Sequence, residues 1–331
     1  MSLDIKRRGL LATAAATAAA ALGPRAWAQG PAYPAKPIRV LVPFGPGGVA
    51  DLTARSVGQK LGELLGQSVI IDNRPGAGGV VAGDTVAKAE PDGYTLLLMS
   101  NGTAVSAGLF KSLPFDAQKD FAPISLLGLF DIAIVTPGNS RFRSLGELLA
   151  FARANPGKLN LGSINVGSTQ NLAAELFKST AGVNVQVVPF NGTPAIVTAL
   201  RGGEIDAAVE ILSPLLPQVS AKAVHVLAVM GDKRAAALPE VPTVAESGGA
   251  LAGFSVASWN GLAAPARTPR PVIERLNREV RAAVGSPEVK KRLADLNVEA
   301  RAGTPEQLGA LLASETRRWS EVIAHAGIAR Q

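Results

Sequence analysis

The run Ile38-Arg39-Val40-Leu41-Val42, closed by Pro43, is short, apolar and β-branched, the pattern of a buried strand. A glycine-rich stretch follows at 45–48. From Val49 to Leu65 the apolar residues Leu52, Val57, Leu61, Leu64 and Leu65 recur at helical spacing. The alternation then repeats. A strand is predicted at 68–72, a second glycine-rich loop at 73–79, and a small-residue helix running to about Lys88. After the turn Pro91-Asp92-Gly93 comes a third strand at 94–99. This β-α-β-α-β order predicts a parallel sheet with helices on both faces.

The pattern restarts further along. Ser144 is placed to cap a helix reaching Ala154. Strands are predicted at 159–163, 185–190, 205–211 and 224–230, with helices at 168–180, 194–201 and 215–221. Between the two units lies the apolar run ISLLGLFDIAIVT, from Ile124 to Thr136, and after the second unit comes another extended segment, 254–262. The remainder, 271–325, reads as amphipathic helix with Trp319 buried. Two extended segments bracketing one α/β unit predict two lobes joined by two crossings. The first lobe is discontinuous, 30–130 with 254–331; the second is 131–253.

Composition narrows the chemistry. The chain has 331 residues, 47% hydrophobic and 18% charged, which is apolar enough for sizeable cores and too weakly charged for disorder. Cysteine is absent, so disulfides, thiol catalysis and cysteine metal sites are excluded. Only His225 and His325 are available for imidazole chemistry, one inside an apolar strand and one on a terminal helix. Residues 1–28 have the pattern of a secretory signal: basic Lys6, Arg7 and Arg8, an Ala-rich apolar stretch, and Ala26-Trp27-Ala28 as the cleavage site. Cleavage after Ala28 would leave an exported, periplasmic protein. It would also remove four basic residues and one acid, lowering the net charge from +7 to +4, too weak and too scattered for nucleic-acid binding.

Candidate ligand positions lie where parallel strands end, because open α/β sheets bind beyond their carboxyl ends. Those ends carry Phe44, Gly47 and Gly48, then Gly78 and Gly79, then Ser100, Asn101 and Thr103. In the second unit they carry Ser163, Asn165, Ser168 and Thr169, then Phe190, Asn191 and Gly192, and finally Glu210. Glycine allows backbone N–H groups to approach a ligand, and helix N-termini favour an anion such as a carboxylate. Glu210 is expected near the cleft as an unpaired carboxylate. The stretch Gly45-Pro46-Gly47-Gly48-Val49-Ala50 also fits G-x-G-x-x-A, with Asp72 ending the next strand. That keeps an exported Rossmann-type oxidoreductase using a dinucleotide as the alternative, although no catalytic arrangement accompanies it.

The run from Tyr33-Pro34-Ala35-Lys36-Pro37 through Val42-Pro43-Phe44-Gly45-Pro46-Gly47-Gly48-Val49-Ala50-Asp51 resembles the opening of the extracytoplasmic binding proteins of the tripartite tricarboxylate transporter family, also called the Bug family. So do Asp72-Asn73-Arg74-Pro75-Gly76-Ala77-Gly78-Gly79, Val188-Pro189-Phe190-Asn191-Gly192, Leu238-Pro239-Glu240-Val241-Pro242-Thr243 and Trp259-Asn260-Gly261-Leu262. The resemblance implies a type II-like Venus-flytrap fold of two α/β lobes, no catalytic residues and no cofactor. It implies capture of a small organic carboxylate by a monomer that delivers it to membrane permease subunits. Its first two binding loops fall on Phe44 to Gly48 and Gly76 to Gly79. Phe190 departs from the Tyr of many members, which removes a hydroxyl.

Overall fold

The computed structural model of the chain describes residues 33–331 other than Asn165 and Gly167, so the expected signal sequence lies outside the described residues. Residues 36–331 form one contact unit. The first unit reads β1 (Ile38–Val42), α1 (Val49–Leu65), β2 (Val69–Asn73), α2 (Val80–Ala87), β3 (Thr95–Ser100) and α3 (Asn101–Leu109). The three strands are parallel in the order β2-β1-β3, as the alternation predicts. Helix α1 buries Ala54, Val57, Leu61 and Leu65 and ends at Gly66, whose φ of 67° is the left-handed cap that glycine adopts without strain.

Next comes β4 (Phe121–Pro137), a strand of 17 residues. The second unit follows: α4 (Leu145–Ala154), β5 (Asn160–Ile164), α5 (Thr169–Ala181), β6 (Gln186–Phe190), α6 (Thr193–Gly202), β7 (Ala207–Ile211), α7 (Leu216–Ser220) and β8 (Val224–Val229). Strands β6, β5 and β7 are parallel neighbours in that order. The chain returns through β9 (Ala257–Pro265) and finishes with α8 (Arg270–Gly285), α9 (Pro287–Asp295), β10 (Val298–Ala300) and α10 (Pro305–His325).

The whole sheet runs β2-β1-β3-β9-β4-β7-β5-β6, with β8 and β10 also on β4. It is therefore mixed rather than all-parallel. Strand β9 is antiparallel to both β3 and β4, and β4 is antiparallel to β7 and β8. The long apolar run is not a bare crossing. Its first part, Phe121 to Asp131, pairs with β9; its last, Ile132 to Pro137, pairs with β7 and β8. An apolar run of this length fits a strand buried among neighbours for most of its course. Two further departures are local. The segment after β3, expected as a loop, is a helix with a capping box: Ser100 Oγ accepts from Gly102 N–H, and Thr103 Oγ1 accepts from Ser100 N–H. The C-terminal region, expected wholly helical, contains β10, which pairs with Gly128 to Phe130; three residues are too few to show a period of two. Trp259 and Trp319 are the largest wholly buried side chains, and α10 is tied down by Arg318, which donates to Ser255 O.

Candidate functional site

The register brings the two sets of strand ends together. Strand β3 ends at Ser100, which pairs with Asn260, and Asn260 pairs in turn with Gly128 of β4. Strand β7 ends at Ile211, which pairs with Ile132. Because β3 runs with β4 and β7 runs against it, both carboxyl ends point at the middle of β4. Gly128 and Ile132 are four residues apart, roughly 13 Å at about 3.3 Å per residue. The ends of β3 and β7 therefore lie level with one stretch of β4, with β1 and β2 beyond β3 in the sheet and β5 and β6 beyond β7. Two surface grooves lie elsewhere. One, of about 640 Å³, sits beside Gly66 and Ser68 at the other end of β2; one, of about 490 Å³, lies against α8 and α9.

On the first half, the loop after β1 is built around Asp51. Its carboxylate accepts from Gly47 N–H at 2.8 Å, from Arg55 Nε at 3.0 Å and from Asn73 Nδ2 at 2.9 Å. Asn73 also donates to Phe44 O at 3.0 Å, which ties the first loop to the end of β2. Burial acts to raise the Asp51 carboxyl, but the bonds from Arg55, Gly47 N–H and Asn73 outweigh it and hold it below its ordinary value. Helices α1 and α2 have glycine N-caps, Gly48 and Gly79, with no side-chain cap. Asp51 itself occupies the Gly47 N–H, so a pyrophosphate on the G-x-G-x-x-A stretch would compete with a buried carboxylate. Behind the first loop, Asp72 binds Arg39 and Arg74, and the Arg39 bond leads in lowering its pKa.

Ser100 and Thr103 are committed to the cap of α3. Asn101 is 1% exposed; its Nδ2 donates to Ala257 O at 3.1 Å, and its Oδ1 has no partner among the described residues. It thus links the end of β3 to the start of β9. Phe44 is exposed beside these loops.

On the second half, Ser168 Oγ accepts from Asn171 N–H at 3.1 Å and donates to Ile164 O at 2.8 Å, capping α5 just before Thr169. Ser163 is enclosed rather than open to a ligand, and its Oγ accepts from Asn171 Nδ2 at 3.1 Å. Asn165 lies outside the described residues. Phe190 is half-buried at the end of β6, Asn191 is exposed, and Gly192 (φ 92°) is the N-cap of α6, again with no side-chain cap. Glu210 requires a correction. It is 0% exposed and fully partnered, not a free carboxylate. Oε1 accepts from Gln170 Nε2 at 2.8 Å and from Ile211 N–H at 2.7 Å; Oε2 accepts from the Thr193 hydroxyl at 3.1 Å. Burial pushes its pKa up, against the opposing pull of these three donors. The strand-end patterns did not reveal Gln170 and Thr193, which meet Glu210 only through packing of three elements. Asp51 had a local signal, an acid in the first turn of a helix behind a glycine loop.

Comparison with known proteins agrees with this architecture. The profile of the tripartite tricarboxylate transporter family receptor, TctC, matches residues 53–328. The UPF0065 protein in the tcbD-tcbE intergenic region of Pseudomonas sp. (strain P51) is 40% identical over 292 residues, 88% of this chain and 87% of that one. The structure of the periplasmic binding protein BugD aligns with TM-score 0.76 at 31% identity, covering 90% of this chain and 100% of that chain. R. palustris Rpa4515 with adipate aligns with TM-score 0.79 at 32% identity, covering 90% and 99%. The match over most of the chain is to a receptor family and not to a dinucleotide enzyme, and the chain belongs to the tripartite tricarboxylate transporter receptor family.

Proposed function

We propose that the protein captures a small organic carboxylate where the two sets of strand ends converge, and passes it to a membrane transporter of the tripartite tricarboxylate type. The convergence on Gly128 to Ile132 of β4 carries this reading. On the first half, helices α1 and α2 begin beside it at glycine caps, Gly48 and Gly79, with no side-chain cap. Unpaired N–H groups at such termini suit a carboxylate. Adipate in the R. palustris neighbour supports the ligand class.

In this reading the lobes are 30–130 with 254–331, and 131–253, and the solute sits between them. The protein acts as a monomer in the periplasm once residues 1–28 are removed, and no helix among the described residues is long and apolar enough to cross a membrane. A thermal-shift panel of mono-, di- and tricarboxylates tests the reading. An acid at a hundred times its dissociation constant should stabilise the fold by roughly 2.7 kcal/mol. A panel in which no carboxylate moves the melting temperature, while a nicotinamide dinucleotide does, would overturn it.

A further inference from the structure

One position at the second half's strand ends, Thr193, has a definite hydrogen-bond polarity. The segments Ile164–Thr169, Phe190–Thr193 and Glu210–Leu215 contain no Lys, Arg or His. Within them the enclosed Glu210 carboxylate takes the Thr193 hydroxyl on Oε2, while Gln170 Nε2 and Ile211 N–H occupy Oε1. A hydroxyl has one proton to donate. Thr193, half-exposed at the start of α6, has given its proton to Glu210, so its oxygen offers only lone pairs to anything else. A ligand group facing it must donate a hydrogen bond or be apolar. A second carboxylate would meet an acceptor with buried negative charge behind it, and those segments hold no cation to offset the repulsion.

Apolar exposure points the same way. Phe44 and Val166 are 38% and 48% exposed, and they stand two residues past the ends of β1 and β5. Large apolar side chains left open around a candidate site suit a ligand with apolar surface to cover them.

Resting on the carboxylate-capture reading, we infer that the solute carries a single carboxylate, held at the glycine loops of the first half, and an apolar body whose far end is uncharged or a hydroxyl donor. Glu210 is the positioning residue for this selectivity: it touches no ligand and acts by fixing Thr193 as an acceptor.

Calorimetric titration of the full chain with matched acids tests the inference: butanoate against succinate, hexanoate against adipate, and benzoate against terephthalate. In every pair that binds, the monoacid should be tighter by about tenfold or more, as expected when a charge meets a site with no partner for it. Glu210→Gln, whose carboxamide can donate to Thr193 and free its hydroxyl, should cut that preference to within about threefold. Thr193→Val provides a second arm should Glu210→Gln fail to fold. The native chain should bind 6-hydroxyhexanoate more tightly than hexanoate, and Thr193→Val should erase that advantage while leaving hexanoate bound. A merely structural Glu210 would weaken both members of a pair alike and leave their ratio unmoved. Diacids binding as tightly as monoacids, an unchanged ratio in Glu210→Gln, or an unchanged hydroxy-acid advantage in Thr193→Val would each overturn the inference and leave carboxylate capture standing. Failure of every acid to bind the native chain would overturn the capture reading and this inference with it.

Discussion

Gly48 has extended backbone, φ −78° and ψ 167°, and nothing lies within 4 Å of where a Cβ would sit. A side chain there strains nothing and fills only the space in front of α1. Gly48→Val should cost about 1 kcal/mol through a poorer N-cap, yet remove the thermal shift given by the best-binding acid. An unchanged shift would take this loop out of the site. Gly79 cannot serve as such a probe, because its φ is 99° and a Cβ would lie 3.2 Å from Pro43 Cβ, so folding would suffer first. Asp51 gives a pH signature. Its folded pKa lies below the ordinary 3.8, so its contribution is present above the unfolded value and is lost as pH falls through the folded one. Asp51→Asn should therefore cost about 1–3 kcal/mol at neutral pH and progressively less below about pH 4, measured by denaturant melts across pH. A cost that does not change with pH would mean that its charge plays no part. The strand-end glycines and the cap Ser144 were legible in the sequence because each acts within a few residues of itself. The enclosure of Glu210 was not, because its partners Gln170 and Thr193 stand 40 and 17 residues away.

At the scale of elements, β4 decides the architecture. Its apolar run was readable as extended, but its partners were not: pairing with β9, β7, β8 and β10 depends on chain returning from both halves. The same dependence hid the antiparallel neighbours, since periodicity identifies a strand and not its direction. The short β10 packs directly on the middle of β4. A Cβ on Gly128 would lie 2.6 Å from Val298 Cγ1 and 2.9 Å from Glu299 O, so only glycine lets the two strands approach this closely. Gly128→Val should destabilise the protein by about 1–3 kcal/mol or more, as overpacking against backbone does. A melt like that of the native chain would show that β10 is free to move away.

At the scale of the whole molecule, the repeated β-α alternation revealed two α/β units from the sequence alone, and the register supplied what it lacked, the meeting of their strand ends on one strand. Strand β4 changes partners between Asp131, which pairs with β9, and Ile132, which pairs with β7, and Val256 N–H donates to Met230 O. A solute held between the proposed lobes would contact both, and its binding energy would favour the arrangement in which both reach it. Small-angle X-ray scattering of the protein, titrated with the acid that gives the largest thermal shift, tests this most directly. The account predicts a smaller radius of gyration at saturation than without ligand; an unchanged radius with the site demonstrably full would contradict capture between the lobes.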